Sequence, residues 1–213
     1  MVITYEGAEF FKVQYGDVTL AFNPIAKNSK LKGGRFGADL VLVSTNHPDF
    51  NGVDSVTFGE KKPFVVSGPG EYEYKGVLVH GVAAETNYGK EKRINTVYLV
   101  SLEGINLCFL GAIGTKDLPK DVTEAIEEVD VLFVPIGGEG VLSADDAYNL
   151  AVSLEPKLII PMHFGQIGAK NALETFMKEG GVEKGVEKLE KLTLKKKDLE
   201  GKEGDIVLLK PTN

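Results

Sequence analysis

Asp39-Leu40-Val41-Leu42-Val43-Ser44-Thr45-Asn46-His47-Pro48-Asp49-Phe50-Asn51-Gly52 is the stretch whose reading decides the fold. Leu40 to Val43 are four consecutive apolar residues, a short run suited to a strand covered on both faces. The chain then turns polar, and the loop offers His47 and Asp49 with one residue between them. A buried strand running into such a loop places candidate chemistry at the strand's carboxyl end.

Outward from this stretch, the first half reads as mostly β. Val2 to Tyr5, Glu9 to Tyr15 and Val18 to Phe22 cluster or alternate apolar residues, with Tyr15-Gly16-Asp17-Val18 as a hairpin turn. Asn23-Pro24 ends the third strand, and Lys27 to Gly37, rich in Lys, Gly and Ser, is a loop. Short strands are expected at Ser55–Phe58, Pro63–Ser67, Glu71–Tyr74 and Gly76–Val82. A hairpin is expected from Asn95–Leu102 and Ile105–Leu110 about Glu103-Gly104. The second half alternates helix and strand: helix at Asp121–Val129, strand at Val131–Val134, helix at Ser143–Leu154, strand at Leu158–Pro161 and helix at Ala169–Lys178. Ser143 with Asp146 forms a capping-box-like start. Val186 to Leu194 mixes Lys and Glu around Leu189, Leu192 and Leu194, and Ile206–Leu209 is a closing strand.

At 213 residues, the chain fits one domain spanning 1–213 with length for a real core. Hydrophobic residues at 43% and charged residues at 26% are those of a globular protein, and no apolar run approaches the roughly 20 residues that cross a bilayer. The first residues show no basic region followed by an apolar one, so a cytoplasmic location is the default expectation. The single cysteine, Cys108, lies between Leu107 and Phe109 and reads as a packed thiol; one cysteine also excludes an internal disulfide and any multi-thiolate metal site. A net charge of −7 opposes general phosphate-backbone binding, and Lys195-Lys196-Lys197, flanked by Glu, reads as a solvated face. Nucleic acid and membrane are therefore not expected partners; a small molecule or a protein is.

A β-rich half followed by an alternating half predicts two packed sheets with helices outside, and loops leaving the strands' carboxyl ends gathering at one edge. Three such loops stand out: Thr45 to Phe50, Leu110-Gly111-Ala112-Ile113-Gly114, and Ile160-Pro161-Met162-His163-Phe164-Gly165. Gly137, Gly138 and Gly140 precede the helix at Ser143, but their spacing is not that of a phosphate-binding signature.

Ala38 to Ser44, Val131 to Gly138, the Ser143–Leu154 helix and Glu155 to His163 together resemble the metallo-β-lactamase fold superfamily, and within it the small metal-dependent hydrolases similar to sugar-lactone lactonases. The resemblance covers nearly the whole chain. It implies an α/β (α+β) fold, a four-layer αββα sandwich, with a dinuclear site, usually zinc, at one edge. The family pattern His-x-His-x-Asp-His falls on Thr45, Asn46, His47, Pro48, Asp49 and Phe50, so its first and last histidines are replaced. The third histidine falls near Glu85 or Thr86, the bridging aspartate falls on Ala112, the family's Asp-Pro is Asn23-Pro24, and His163 is kept.

The donor count bears on this directly. Zinc takes four donors, three from protein when one position holds water, and two metals need more. The chain has three histidines, and His80, inside a strand, reads as a packed or surface imidazole. His47, Asp49 and His163 remain. The first reading is a non-catalytic descendant without a metal cofactor, its site edge turned into a binding or interaction surface with Phe50 filling space. The second is one Zn or other divalent metal on His47, Asp49 and His163, helped by Glu85, with Asp49 catalytic only if that metal is bound, hydrolysing an ester, lactone or phosphodiester. The third, assembly or nucleic-acid contact through the Lys-rich end, is opposed by the acidic balance. The plain structural role also stands: Asp49 and Asn51 bond backbone amides in tight loops, and His163 bonds a carbonyl.

Overall fold

The computed structural model describes residues 1–60, 62–182 and 187–212. The chain opens with β1 (Val2–Gly7), β2 (Phe10–Tyr15) and β3 (Val18–Phe22), then β4 (Leu40–Leu42) and β5 (Phe64–Val66). There follow β6 (Gly70–Tyr74), β7 (Val77–Thr86), β8 (Arg93–Leu102), β9 (Ile105–Phe109), α1 (Lys120–Ala125), β10 (Val131–Pro135), α2 (Ala144–Ser153), β11 (Leu158–Met162), α3 (Ala172–Glu179), β12 (Leu192–Thr193) and β13 (Asp205–Ile206). Two sheets result, ordered β12-β1-β2-β3-β4-β5 and β13-β11-β10-β9-β8-β7-β6.

In each sheet the strands that carry the site are parallel. β3, β4 and β5 run parallel in one, and β9, β10, β11 and β13 run parallel in the other. The carboxyl ends of β3, β4, β9, β10 and β11 carry the loops that begin at Asn23, Val43, Leu110, Ile136 and His163. The remaining pairs are antiparallel: β12 joins β1 from the far end of the chain, and the others are hairpins, as the turn at Gly16 (φ +52°) and the β8–β9 turn require.

The apolar run at Leu40 has two faces to bury. Leu40 and Leu42 join Leu20, Phe22, Phe11 and Tyr5 in the core between the sheets, while Val41 and Val43 join Phe10, Ala21 and Ile25 on the outside of the six-stranded sheet. Between the sheets, the Phe11 ring meets Tyr5 at 4.8 Å and Phe133 at 4.8 Å, and Phe22 meets Phe109 at 4.9 Å. Side chains of this size bury roughly 1.5–3 kcal/mol each of transfer free energy. Cys108 is buried in β9, and burial pushes its thiol up to about 12, as a packed thiol requires.

The expected sandwich is present, with one difference in its layers. The helices lie with the seven-stranded sheet, α1 against β7, α2 against β10 and α3 against α2. Over the six-stranded sheet, the fourth layer among the described residues is loop and a 3-10 turn, anchored by Ile25, Leu31, Phe36, Val53 and Val56. Lys27 to Gly37 has too few apolar residues at helical spacing to form a helix there.

Some element boundaries move. The strand expected at Ser55–Phe58 is replaced by the 3-10 turn Val53–Ser55, because Gly52 packs onto Ile25 and Ala26; a Cβ there would lie 2.2 Å from the Ile25 carbonyl carbon. The helix expected to reach Val129 stops at Ala125, where Ile126 turns extended (φ −78°, ψ 108°) so that Val129 can accept from the Lys157 amide. α3 starts at Ala172, three residues later than expected, after a turn closed by Ala172 N–H on the Ala169 carbonyl. The closing strand ends at Ile206, and Leu209 forms an isolated bridge with Leu189. In the Val186–Leu194 stretch Val186 lies outside the described residues, and Leu192–Thr193 is an edge strand on β1. Among the described residues, no helix is long and apolar enough to cross a membrane.

Opposite the site edge, fully buried Asp130 ties three segments together. Its carboxylate accepts from Lys157 Nζ at 2.7 Å, Lys196 Nζ at 2.8 Å and the Asn106 amide at 2.8 Å, so the middle of the lysine run is engaged in the fold. Burial by itself would raise this carboxyl, but the two ammonium groups and the amide outweigh it and hold it below the ordinary range. A lowered folded value means the stabilisation is complete above the unfolded value near ~3.9 and is lost as pH falls through the folded one. Asp130→Asn is therefore expected to lose about 1–3 kcal/mol at neutral pH, with the gap to wild type closing in acid. Urea unfolding at neutral pH and near pH ~3 measures both; a gap that does not change with pH would rule out the charge as its source.

Candidate functional site

The site edge begins with a buried acid. Glu9, fully buried in the β1–β2 turn, places Oε1 2.7 Å from His163 Nδ1, and its Oε2 accepts from Asn23 Nδ2 at 2.8 Å. Asn23 Nδ2 also donates to Ser44 Oγ at 2.8 Å, and Asn23 Oδ1 accepts the Ser44 amide at 2.8 Å. A continuous buried network, Ser44–Asn23–Glu9–His163, thus joins the ends of β4, β3 and β11 to the β1–β2 turn. Its backbone is strained: Ala8, Asn23 and His163 hold φ of +54°, +43° and +63°, and the His163 amide donates to Ala8 O at 2.6 Å. Gly137 permits this approach, since a Cβ there would lie 2.3 Å from the His163 carbonyl oxygen.

A second network holds Thr45 and Ala112, two of the positions on which the resemblance places ligands. Asn95 Oδ1 accepts from Thr45 Oγ1 at 3.2 Å and from the Ala112 amide at 2.9 Å, while Asn95 Nδ2 donates to Leu110 O at 2.9 Å. Thr45, Ala112 and Asn95 are all buried. Buried amide and hydroxyl groups require such partners, so this part of the edge is a closed polar core.

The third cluster is aromatic. Phe50 is fully buried and packs with Ala112, Val141 and Tyr88. The Tyr88 ring lies 4.9 Å from His47 and 5.3 Å from His163, nearly perpendicular to both at 82° and 86°, and 4.8 Å from Phe50. Its hydroxyl donates to Asp49 Oδ2 at 2.7 Å, and Ser29 Oγ donates to Asp49 Oδ1. The Asp49 amide donates to His47 Nδ1 at 3.2 Å. Burial, the Asp49 hydrogen bond and the charges of Asp49, Glu9 and Glu139 raise the Tyr88 phenol far above its ordinary value, so it stays protonated.

The residues named from sequence divide accordingly. His47, Asp49, Phe50, Thr45, Ala112 and His163 all lie on this edge. Thr86 does too: its hydroxyl accepts the Tyr88 amide at 3.1 Å and donates to Gly140 O at 3.4 Å. Glu85 is exposed on the other face of β7 and pairs with Lys92 at 2.8 Å. His80 is likewise exposed, opposite Glu71. Glu9, Ser29, Asn95 and Tyr88 had no place in the sequence-based site. For Glu9 a signal existed, an acid set directly before Phe10-Phe11 at the start of an apolar strand.

These donors do not fit a two-metal centre. Two of the positions on which the resemblance places ligands are the apolar Phe50 and Ala112, a third, Thr45, is engaged by Asn95, and Tyr88 takes one oxygen of Asp49. Among the described residues, no three His, Cys, Asp or Glu side chains gather closely enough to hold a metal ion.

The profile of the Beta-lactamase superfamily domain family matches residues 2–163. The chain belongs to the metallo-β-lactamase superfamily. Within the superfamily, it is 25% identical to a protein of Lysinibacillus sphaericus and 27% identical to one of Carboxydothermus hydrogenoformans, both named UPF0173 metal-dependent hydrolase. The first match covers 77% of this chain and 85% of the relative, the second 77% and 84%. A crystal structure from Thermotoga maritima, for which Zn-dependent hydrolysis within this superfamily is the suggested activity, superposes with a TM-score of 0.76 at 29% identity, covering 98% of this chain and 97% of that one.

Two substitutions test the aromatic cluster. Phe50→Ala is expected to cost about 3–5 kcal/mol, the usual price of emptying a fully buried ring site. Tyr88→Phe, which keeps the ring and loses only the hydrogen bond to Asp49, is expected to cost about 1 kcal/mol. Chemical denaturation of both variants checks the ordering, and a larger loss for Tyr88→Phe would move the weight from packing to the Asp49 bond.

Proposed function

We propose that this superfamily member acts as a binding module, its former metal edge rebuilt as a pocket for a small molecule or a segment of a partner protein. One observation carries the reading: Tyr88 packs against both His47 and His163 while its hydroxyl occupies Asp49. All three candidate metal donors are thereby engaged with one protein side chain. The net charge of −7 disfavours a polyanionic partner such as nucleic acid.

A second reading has its own support. His163 Nδ1 sits on the buried Glu9 carboxylate at 2.7 Å, and a carboxylate behind a histidine is the arrangement that orients metal-ligating imidazoles. In that reading His47, Asp49 and His163 hold one zinc or other divalent ion once Tyr88 withdraws, and the chain is a metal-dependent hydrolase of esters, lactones or phosphodiesters. The names of its relatives weigh on this side, and the donor geometry weighs on the other.

Metal analysis separates the two. Protein purified without chelator is expected to carry far less than stoichiometric zinc, iron or manganese, and chelation is expected to leave the thermal midpoint unchanged. Stoichiometric metal that perturbs the His163 ring resonances would overturn the binding-module reading. The hydrolase reading then predicts that His163→Ala abolishes metal-dependent esterase or phosphodiesterase activity, and an equally active variant would remove it.

A further inference from the structure

We infer that the pocket beside Tyr88 takes a small organic cation bearing a primary ammonium group, an inference that rests on the binding-module reading. A cavity of about 330 Å³ opens between Tyr88, Glu139, His163, Gln166, Ile167 and Gly168. This is some ten times the ~30 Å³ share of one water, so the space suits a molecule of several heavy atoms better than a bare ion.

The polar atoms around it favour a positively charged donor. Glu139 is exposed, sits at φ +55° and forms no ion pair among the described residues, which leaves its carboxylate available at the rim. The Tyr88 hydroxyl donates its hydrogen bond to Asp49, so its oxygen keeps accepting capacity. Gln166 is committed: its Nε2 donates to Lys32 O at 3.1 Å, and its Oε1 accepts the Lys32 amide at 3.1 Å. The Tyr88 ring and Ile167 supply apolar surface for an alkyl group.

The local charge balance points the same way. Asp49, Glu9 and Glu139 all act on the Tyr88 phenol and help keep its proton in place. Of the cations on this side, Arg93 bonds Glu91 and the Asn46 carbonyl, and Lys92 pairs with Glu85. Glu139 and the Tyr88 ring line the same cavity, and an ammonium group next to an aromatic ring is the cation such a lining attracts.

The test is a titration of protein carrying labelled His and Tyr rings with ethylammonium chloride, against sodium chloride at equal ionic strength and against sodium acetate. Ethylammonium is expected to shift the Tyr88 and His163 resonances saturably, with a dissociation constant on the order of millimolar. Glu139→Gln is expected to weaken binding at least about tenfold, while Glu85→Gln, outside the pocket, binds as wild type. The inference is overturned by equal shifts from sodium ions, by no saturable shift, or by wild-type binding in Glu139→Gln. Saturation by acetate but not ethylammonium would reject the cation and keep the binding pocket. Stoichiometric zinc on His163 with no response to either organic ion would reject both.

Discussion

A carboxylate with no solvent contact must find hydrogen-bond donors or lose its charge, and Glu9 imposes that constraint on the whole site edge. It is met by His163 on one oxygen and Asn23 on the other. Those two residues stand at the ends of strands in different sheets, β11 and β3. The pair therefore stitches the two layers together where the parallel strands end, and the left-handed backbone at Ala8, Asn23 and His163 is the local cost.

From that anchor the edge is filled in two ways. Polar groups pair with one another through Asn95, Ser44 and Asn23, and apolar groups pack around Phe50 and Tyr88. Hydrogen bonds and ring packing link the loops that carry His47, Asp49 and His163.

Much of the architecture was legible beforehand because it follows from short-range pattern. Leu40 to Val43 is apolar throughout because both faces of β4 are covered. Ser143 caps α2 because its side chain accepts from the Asp146 amide. Errors fell where tertiary contact overrode local preference. Val53 to Val56 curls because Gly52 must press against Ile25 and Ala26, and the residues after Ala125 straighten to meet Lys157. The loop layer over the six-stranded sheet likewise depends on Ile25, Leu31 and Phe36 reaching one cluster.

By itself, the sequence determined the two-sheet framework, the edge where strand ends gather, and the small number of histidines, since alternation, turn residues and a count of three histidines are properties of the chain alone. Only the tertiary structure decided what His47, Asp49 and His163 bond. Glu9 lies 154 positions from His163, and Tyr88 lies 39 from Asp49, so no local pattern connects either pair. Their meeting follows from how the two sheets pack and from the cost of leaving a buried carboxylate or phenol without a hydrogen-bond partner.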